Sequence, residues 1–375
     1  VRKEVQNVIK FWMGKGIKGF RFDVVNLISK DKFENDYEGD GRRFYTDGPN
    51  IHKYLRELNE ATFGTDAEII TVGEMSSTTM ENCYQYANED GKELSMVFSF
   101  HHLKVDFMGN EKWVIVPFDF QKLKKILFDW QVNMGKHHAW NAVFWCNHDQ
   151  PRVVSRFGNV EKYWKESAKM LGTVIHCLRG TPYIYQGEEL GMTNAGFTDI
   201  SQYKDVESLN HFRILQEKGL TEENAYQILQ IHSRDNSRTP MQWTSGENGG
   251  FTTGEPWIEV NKNCSYINAE AELQDDDSIF HYYQKLIALR KEYDVIAYGE
   301  LKPLDEKNPS VFAYEREYQG EKMLVICNFY GKEVTWDSET ELGEYQCVLS
   351  NYEVHNIEGS RIGLKPYEAV VLYKK

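Results

Sequence analysis

Ile17-Lys18-Gly19-Phe20-Arg21-Phe22-Asp23-Val24-Val25 reads as a strand, and it follows directly on a helical segment. In that segment Val1, Val5, Val8, Ile9 and Trp12 fall at helical spacing, with Gly14 and Gly16 closing it. Working outward, helix followed by strand recurs. Pro49 opens a second helix with Ile51, Tyr54, Leu55 and Leu58 on one face, and the run Ile69 to Val72 follows as a strand. Leu94 to Phe100 is a further strand. Asp119 caps a helix carrying Leu123, Ile126, Leu127 and Trp130, which leads into the strand Ala142 to Cys146. Met170, Leu171, Val174 and Ile175 mark another helix, and Tyr183 to Tyr185 another strand.

Alternating buried strands and amphipathic helices predict an α/β architecture with a parallel sheet wrapped by helices. Five strands are expected, and polar residues follow them: Arg21 and Asp23, Glu74, His101 and His102, His148 and Asp149, Glu188 and Glu189. Active residues of a (β/α)8 TIM barrel sit at the carboxyl ends of its strands. The expected fold is therefore the carboxyl-terminal five strands of such a barrel. After Gly187 comes a long excursion with a helical stretch around Asn224 to Ile231, and Ser278 to Lys291 forms a final helix. Beyond Tyr293 the periodicity becomes two, with short strands at Val311 to Tyr314, Met323 to Cys327 and Ala369 to Tyr373. A partial barrel over residues 1–293 and a small antiparallel β-sandwich over 294–375 are predicted.

With 41% hydrophobic and 27% charged residues in 375, the chain can bury a large core. Its formal charge of −14 opposes binding to nucleic acid or to an anionic membrane, so neither partner is expected. Aromatic content of 14% suits a cleft that stacks on sugar rings, or simply a Tyr-rich core. Cys83, Cys146, Cys177, Cys264, Cys327 and Cys347 lie far apart with no metal-binding spacing, which predicts reduced thiols in a cytoplasmic protein without a metal or cofactor. No apolar run reaches the roughly 18 residues of a membrane span. Oligomeric state is left open by the sequence.

Arg21 and Asp23 share a face of their strand, so the guanidinium can hold the carboxylate ionised, as a nucleophile at a sugar carbon requires. By itself an Arg-x-Asp is more often a structural ion pair. Thr71-Val72-Gly73-Glu74-Met75 places one carboxylate at a strand end, where a general acid with a raised pKa could work. Asn147-His148-Asp149-Gln150-Pro151-Arg152 places a third, with His148 as a donor to a sugar hydroxyl or as part of a self-bonded loop. Carboxylates at three strand ends are harder to dismiss than any one of them. Retaining glycoside hydrolysis uses two carboxyl groups about 5–5.5 Å apart.

GFRFDVVN (19–26), TVGEM (71–75) and CNHDQPR (146–152) resemble the second, third and fourth signature regions of the α-amylase family, in the same order. The resemblance implies that Asp23 is the nucleophile, Glu74 the general acid/base and Asp149 the carboxylate that binds the reacting glucose, with Arg21 and His148 as neighbouring ligands. SRDNSRTPMQW (233–243) resembles the motif of the oligo-1,6-glucosidase branch, which implies that Arg234 reaches the bound sugar. The match tightens to the group of trehalose-6-phosphate hydrolases. It is carried by EGDGRRFYTDGP (38–49), VGEMSSTT (72–79), FSFHHLKVD (98–106) with EKW (111–113), WNAVFWCNHDQPRVVSRFG (140–158) and GTPYIYQGEELGMTN (180–194). That resemblance implies hydrolysis of a sugar phosphate through a covalent glucosyl-aspartate, with His101, His102, Lys104 and Lys112 as candidate phosphate ligands and Lys112 first among them. The family's first signature region and first strands have no counterpart in these residues, so an amino-terminal part is expected to be missing, and whether the chain alone is active is left open by the sequence. The alternatives are an oligo-1,6-glucosidase or related enzyme acting on neutral α-glucosides, and an inactive fragment or non-catalytic binding relative.

Overall fold

The computed structural model describes residues 1–353 and 356–375. The chain forms two compact units: Val1–His102 with Lys125–Val143 and Arg179–Thr181, and Leu103–Lys124 with Phe144–Leu178 and Pro182–Lys375.

The first unit contains α1 (Arg2–Gly14), β1 (Gly19–Phe22), α2 (Ile51–Ala61), β2 (Ile70–Glu74), α3 (Met80–Tyr86), β3 (Met96–Phe98), most of α4 (Phe120–Lys136), β4 (Ala142–Val143) and the start of β5 (Thr181–Pro182). Strands β1, β2 and β3 form a parallel sheet in that order, with Arg21 opposite Val72 and Glu74 opposite Phe98. Val97 bridges in parallel to Asn141, and the Thr181 amide donates to the Asn141 carbonyl at 2.8 Å, so the succession continues into β4 and β5. Both faces of this sheet are covered, as a parallel sheet requires. One carries Ile9, Ile51, Leu55, Leu58, Ile69, Val97 and Met134; the other carries Val72, Met96 and Ala142.

In the second unit lie α5 (Val153–Phe157), α6 (Trp164–His176), α7 (Val206–Glu217), α8 (Glu222–His232), α9 (Asp235–Arg238), α10 (Ala269–Gln274), α11 (Ile279–Glu292) and α12 (Asp294–Tyr298). Side chains cap several of them: Asp205 for α7, Thr221 for α8 and Ser278 for α11. The chain then gives β6 (Glu300–Leu304), β7 (Val311–Tyr318), β8 (Glu321–Asn328), β9 (Val334–Asp337), β10 (Gln346–Ser350), β11 (Asn356–Glu358), β12 (Arg361–Leu364) and β13 (Ala369–Lys374). They form a five-stranded antiparallel sheet of order β10-β13-β8-β7-β6 and a three-stranded one of order β11-β12-β9. Val311, Ala313, Leu324, Ile326, Val370 and Leu372 of the first sheet share a core with Trp336, Ile362 and Leu364 of the second.

Several expected strands come out shorter: β1 stops at Phe22, short of Asp23, and β4 at Val143. β5 stops at Pro182, which has no amide to continue a ladder, and Tyr183 to Tyr185 lie outside any strand, with Tyr183 and Ile184 exposed. β3 stops at Phe98, and His101–Leu103 form a 3₁₀ turn. Side chains at His101 and beyond therefore do not alternate between two faces of a strand.

Candidate active site

In the first unit the carboxyl ends of β1 and β2 bring Arg21, Asp23 and Glu74 together. One guanidinium serves both acids: Nη1 of Arg21 donates to Asp23 Oδ1, and Nη2 donates to Glu74 Oε2 at 2.6 Å. The two carboxyls differ sharply in surroundings. The Asp23 side chain is 75% exposed and that of Glu74 only 8%. Burial pushes the Glu74 carboxyl above its ordinary pKa, the Val24 amide and Arg21 pull it back, and contact with Asp23 raises it again. A buried carboxyl with a raised pKa beside an accessible one is the division of labour that retaining glycoside hydrolysis needs.

The backbone around this pair is tightly constrained. Val24 adopts φ 34°, a left-handed conformation that a β-branched residue rarely takes, and its amide donates to Glu74 Oε2 at 3.2 Å. Gly73 has no room for a side chain, since a Cβ there would meet Leu94 Cδ1 at 2.6 Å and Val25 Cγ1 at 3.0 Å. Behind the acids, buried Asn26 accepts from the Ser76 amide at 2.9 Å and donates to the Ser76 carbonyl at 2.8 Å. It also donates to Asp47, which accepts in addition from Thr78, Asn82 and Tyr86. This network ties together the loops that follow β1 and β2. Sequence reasoning missed it, although Asn26 and Asp47 both stand inside the quoted motifs.

The second unit builds its own polar cluster around Asp149. The Asn147 side chain accepts from the Asp149 amide at 2.8 Å, which turns the loop, and His148 Nε2 lies 3.4 Å from Asp149 Oδ2. Asp149 Oδ1 faces Arg238 Nη2 at 2.8 Å and Arg234 Nη1 at 3.4 Å. Arg238 is itself fixed by Asp205, the α7 cap, at 2.6 Å, and by the His148 carbonyl at 2.8 Å. Arg234 donates through Nε to Glu207 Oε2 at 2.9 Å, and the same oxygen receives Lys112 Nζ at 3.0 Å. Lys112 lies over the Trp113 ring at 4.6 Å, and Trp113 stacks on His211. Burial lowers the Lys112 pKa while Glu207 opposes that shift.

Of the ten candidate residues, the first unit joins Arg21, Asp23 and Glu74, and the second joins Asp149, His148, Arg234 and Lys112. His101 is taken up by Ser99 at 3.2 Å and by the Trp130 ring at 4.6 Å, within the first unit, where His102 is buried. Lys104 is half-buried in the second unit. Asp205, Glu207 and Arg238 were not singled out from the sequence. Arg238 stood in the quoted SRDNSRTPMQW motif, four residues after Arg234 on one helical face, and that spacing was the available signal. Arg156 forms a two-point ion pair with Asp106, at 2.6 and 2.5 Å, beneath the same cluster. Among the described residues no group of three or more His, Cys, Asp or Glu is arranged to hold a metal ion, and no helix is long and apolar enough to cross a membrane.

Comparison with known proteins defines the class as a glycoside hydrolase. Residues 1–299 match the alpha-amylase catalytic domain, and residues 311–371 match the alpha-amylase SusG C-terminal domain. The chain belongs to the alpha-amylase family. It is 55% identical over 377 residues to a trehalose-6-phosphate hydrolase of Bacillus subtilis, covering 99% of this chain and 67% of that protein. To an oligo-1,6-glucosidase of Bacillus cereus it is 47% identical, over all of this chain and 68% of that one. A crystal structure of Bacillus licheniformis trehalose-6-phosphate hydrolase superposes with a TM-score of 0.96 at 54% identity, covering 100% of this chain and 68% of that one.

Proposed function

We propose that this chain hydrolyses trehalose 6-phosphate to glucose and glucose 6-phosphate with retention at the anomeric carbon. In this reading Asp23 attacks the anomeric carbon of the unphosphorylated glucose, while Glu74 gives its proton to the departing oxygen of glucose 6-phosphate. A glucosyl ester on Asp23 results. Glu74, now ionised, takes a proton from water, the water oxygen attacks the same carbon, and Asp23 leaves as carboxylate. Arg21 donates to both Asp23 and Glu74 and so orients the pair. Asp149, oriented by Arg238 and Arg234, is read as a sugar-binding carboxylate, with His148 beside it. The five parallel strands are read as the carboxyl-terminal five of a (β/α)8 barrel, with residues 1–293 as the catalytic domain and 294–375 as the sandwich. Supporting that division are the two family matches and the change to antiparallel strands at Glu300. The six cysteines are all free thiols, which supports a cytoplasmic setting.

The observation that carries the substrate assignment is Lys112. A half-buried ammonium joined through Glu207 to the arginine that touches Asp149 gives a phosphate a charged donor next to a sugar-binding carboxylate. His101, His102 and Lys104 remain candidates for the same ligand. A charged hydrogen bond to phosphate is worth roughly 1.5–3 kcal/mol. Lys112→Ala is therefore expected to raise KM for trehalose 6-phosphate about ten- to a hundredfold, and to affect an uncharged aryl α-glucoside far less. Equal losses on both substrates would make Lys112 structural. A parent enzyme that prefers isomaltose or trehalose to the phosphorylated sugar would instead support the reading as an oligo-1,6-glucosidase.

A further inference from the structure

Glu207 is the only carboxylate that Lys112 pairs with among the described ion pairs, and it spends one oxygen on two cations, Lys112 at 3.0 Å and Arg234 at 2.9 Å. It stands in the first turn of α7, two residues after Asp205, whose carboxylate caps that helix and holds Arg238. Both arginines meet Asp149 Oδ1. One helical turn thus carries the supports of Arg234 and Arg238 and, through Glu207, of Lys112.

We propose that Glu207 is a specificity-determining residue for the phosphorylated substrate: it holds Lys112 charged and aimed beside Arg234, so that phosphate recognition and glucose recognition share one support. The inference rests on the reading that Lys112 meets the phosphate. The surroundings of Lys112 make the need for Glu207 concrete. Arg234 after α8 and Arg156 from α5 both repel an ammonium, and burial penalises its charge. His232 at the end of α8 is pushed down to about 4, so it stays neutral and adds no further positive charge; its Nε2 meets the Val114 carbonyl at 2.7 Å. The facing His211 of α7 has its Nδ1 2.9 Å from the Glu207 carbonyl oxygen and its ring against Trp113. Asp106 is committed to Arg156. Glu207 is what offsets these terms at Lys112.

Glu207→Gln keeps the shape and removes the charge. The test is the ratio of its KM to that of the parent, for trehalose 6-phosphate and for a neutral aryl α-glucoside, between about pH 7, where the phosphate is already largely dianionic, and about pH 9. The ratio for trehalose 6-phosphate is expected to climb over that interval as the unsupported ammonium gives up its proton, because burial and the two arginines then act on it unopposed. The ratio for the aryl glucoside is expected to show no pH slope. Adding Lys112→Arg to Glu207→Gln is expected to flatten the climb, because a guanidinium stays charged without a carboxylate partner. A flat ratio for trehalose 6-phosphate, a climb of the same size with the neutral substrate, or a climb that survives Lys112→Arg would overturn the role of Glu207. A parent that does not prefer the phosphorylated substrate would overturn the reading beneath it, which the same parent data report separately.

Discussion

In the second unit the Glu188 carboxyl is buried between two neutral donors: the Cys146 thiol donates to Oε2 at 3.1 Å and the Tyr283 hydroxyl to Oε1 at 2.9 Å. Burial pushes the carboxyl up to about 7 from an ordinary 4.5, against the pull of those two bonds. The folded state therefore binds this proton more tightly than the unfolded chain. The stabilising contribution is fully present below about pH 4.5 and is lost as pH rises through about 7. A displacement of that size corresponds to about 3 kcal/mol on the alkaline side. The residue is almost fully buried, so solvent screening does not reduce the figure appreciably. Glu188→Gln removes the titration and keeps the shape. Its amide oxygen can still accept from Tyr283, but its NH2 faces a sulfur that is a poor acceptor, which costs about 1 kcal/mol. The variant is expected to be about 1 kcal/mol less stable than the parent near pH 3.5, about equal near pH 5 and about 2 kcal/mol more stable near pH 8, a crossing read from urea unfolding followed at several pH values. A stability difference that does not change with pH would refute the reasoning and mean that Glu188 is ionised throughout.

Asp23→Asn should abolish turnover while leaving the unfolding transition in place, because an amide cannot form the glycosyl ester; steady-state rates and circular dichroism check both parts. Glu74→Gln should lose most of its rate on trehalose 6-phosphate and much less on an aryl glucoside whose leaving group needs little protonation, and equal losses would remove Glu74 from the acid role. Gly73→Ala should cost about 1–3 kcal/mol of stability, since the new methyl group runs into Leu94 and Val25, and a melt unchanged from the parent would show that the strand end is looser than described.

The parallel strands up to β4 were legible because they are apolar runs set between amphipathic helices, and the period of two after Tyr293 announced the antiparallel sheets. Where reading failed, hydropathy had no power to decide. Tyr183-Ile184-Tyr185 is as apolar as a strand, yet the chain leaves the ladder at Pro182. His101 and His102, expected directly after a strand, stand in a 3₁₀ turn beyond a strand that already ends at Phe98. Arg21, Asp23 and Glu74 could be placed together because each stands at the end of a recognisable strand. The supports of Asp149 could not. Arg238 lies 89 residues from Asp149, and Glu207 lies 95 residues from Lys112. Contacts over such separations leave no periodic trace in one sequence, and an acidic residue in a helix's first turn has a local explanation that hides its long-range partner.

The most direct measurement of the central claim is time-resolved proton NMR of the purified enzyme acting on trehalose 6-phosphate. The account predicts glucose and glucose 6-phosphate in equal amounts, with the newly released glucose appearing first as the α-anomer and equilibrating to β only afterwards, because two inversions at one carbon return the starting configuration. Glucose appearing first as the β-anomer would contradict the covalent role given to Asp23, and release of inorganic phosphate in place of glucose would contradict the hydrolysis itself.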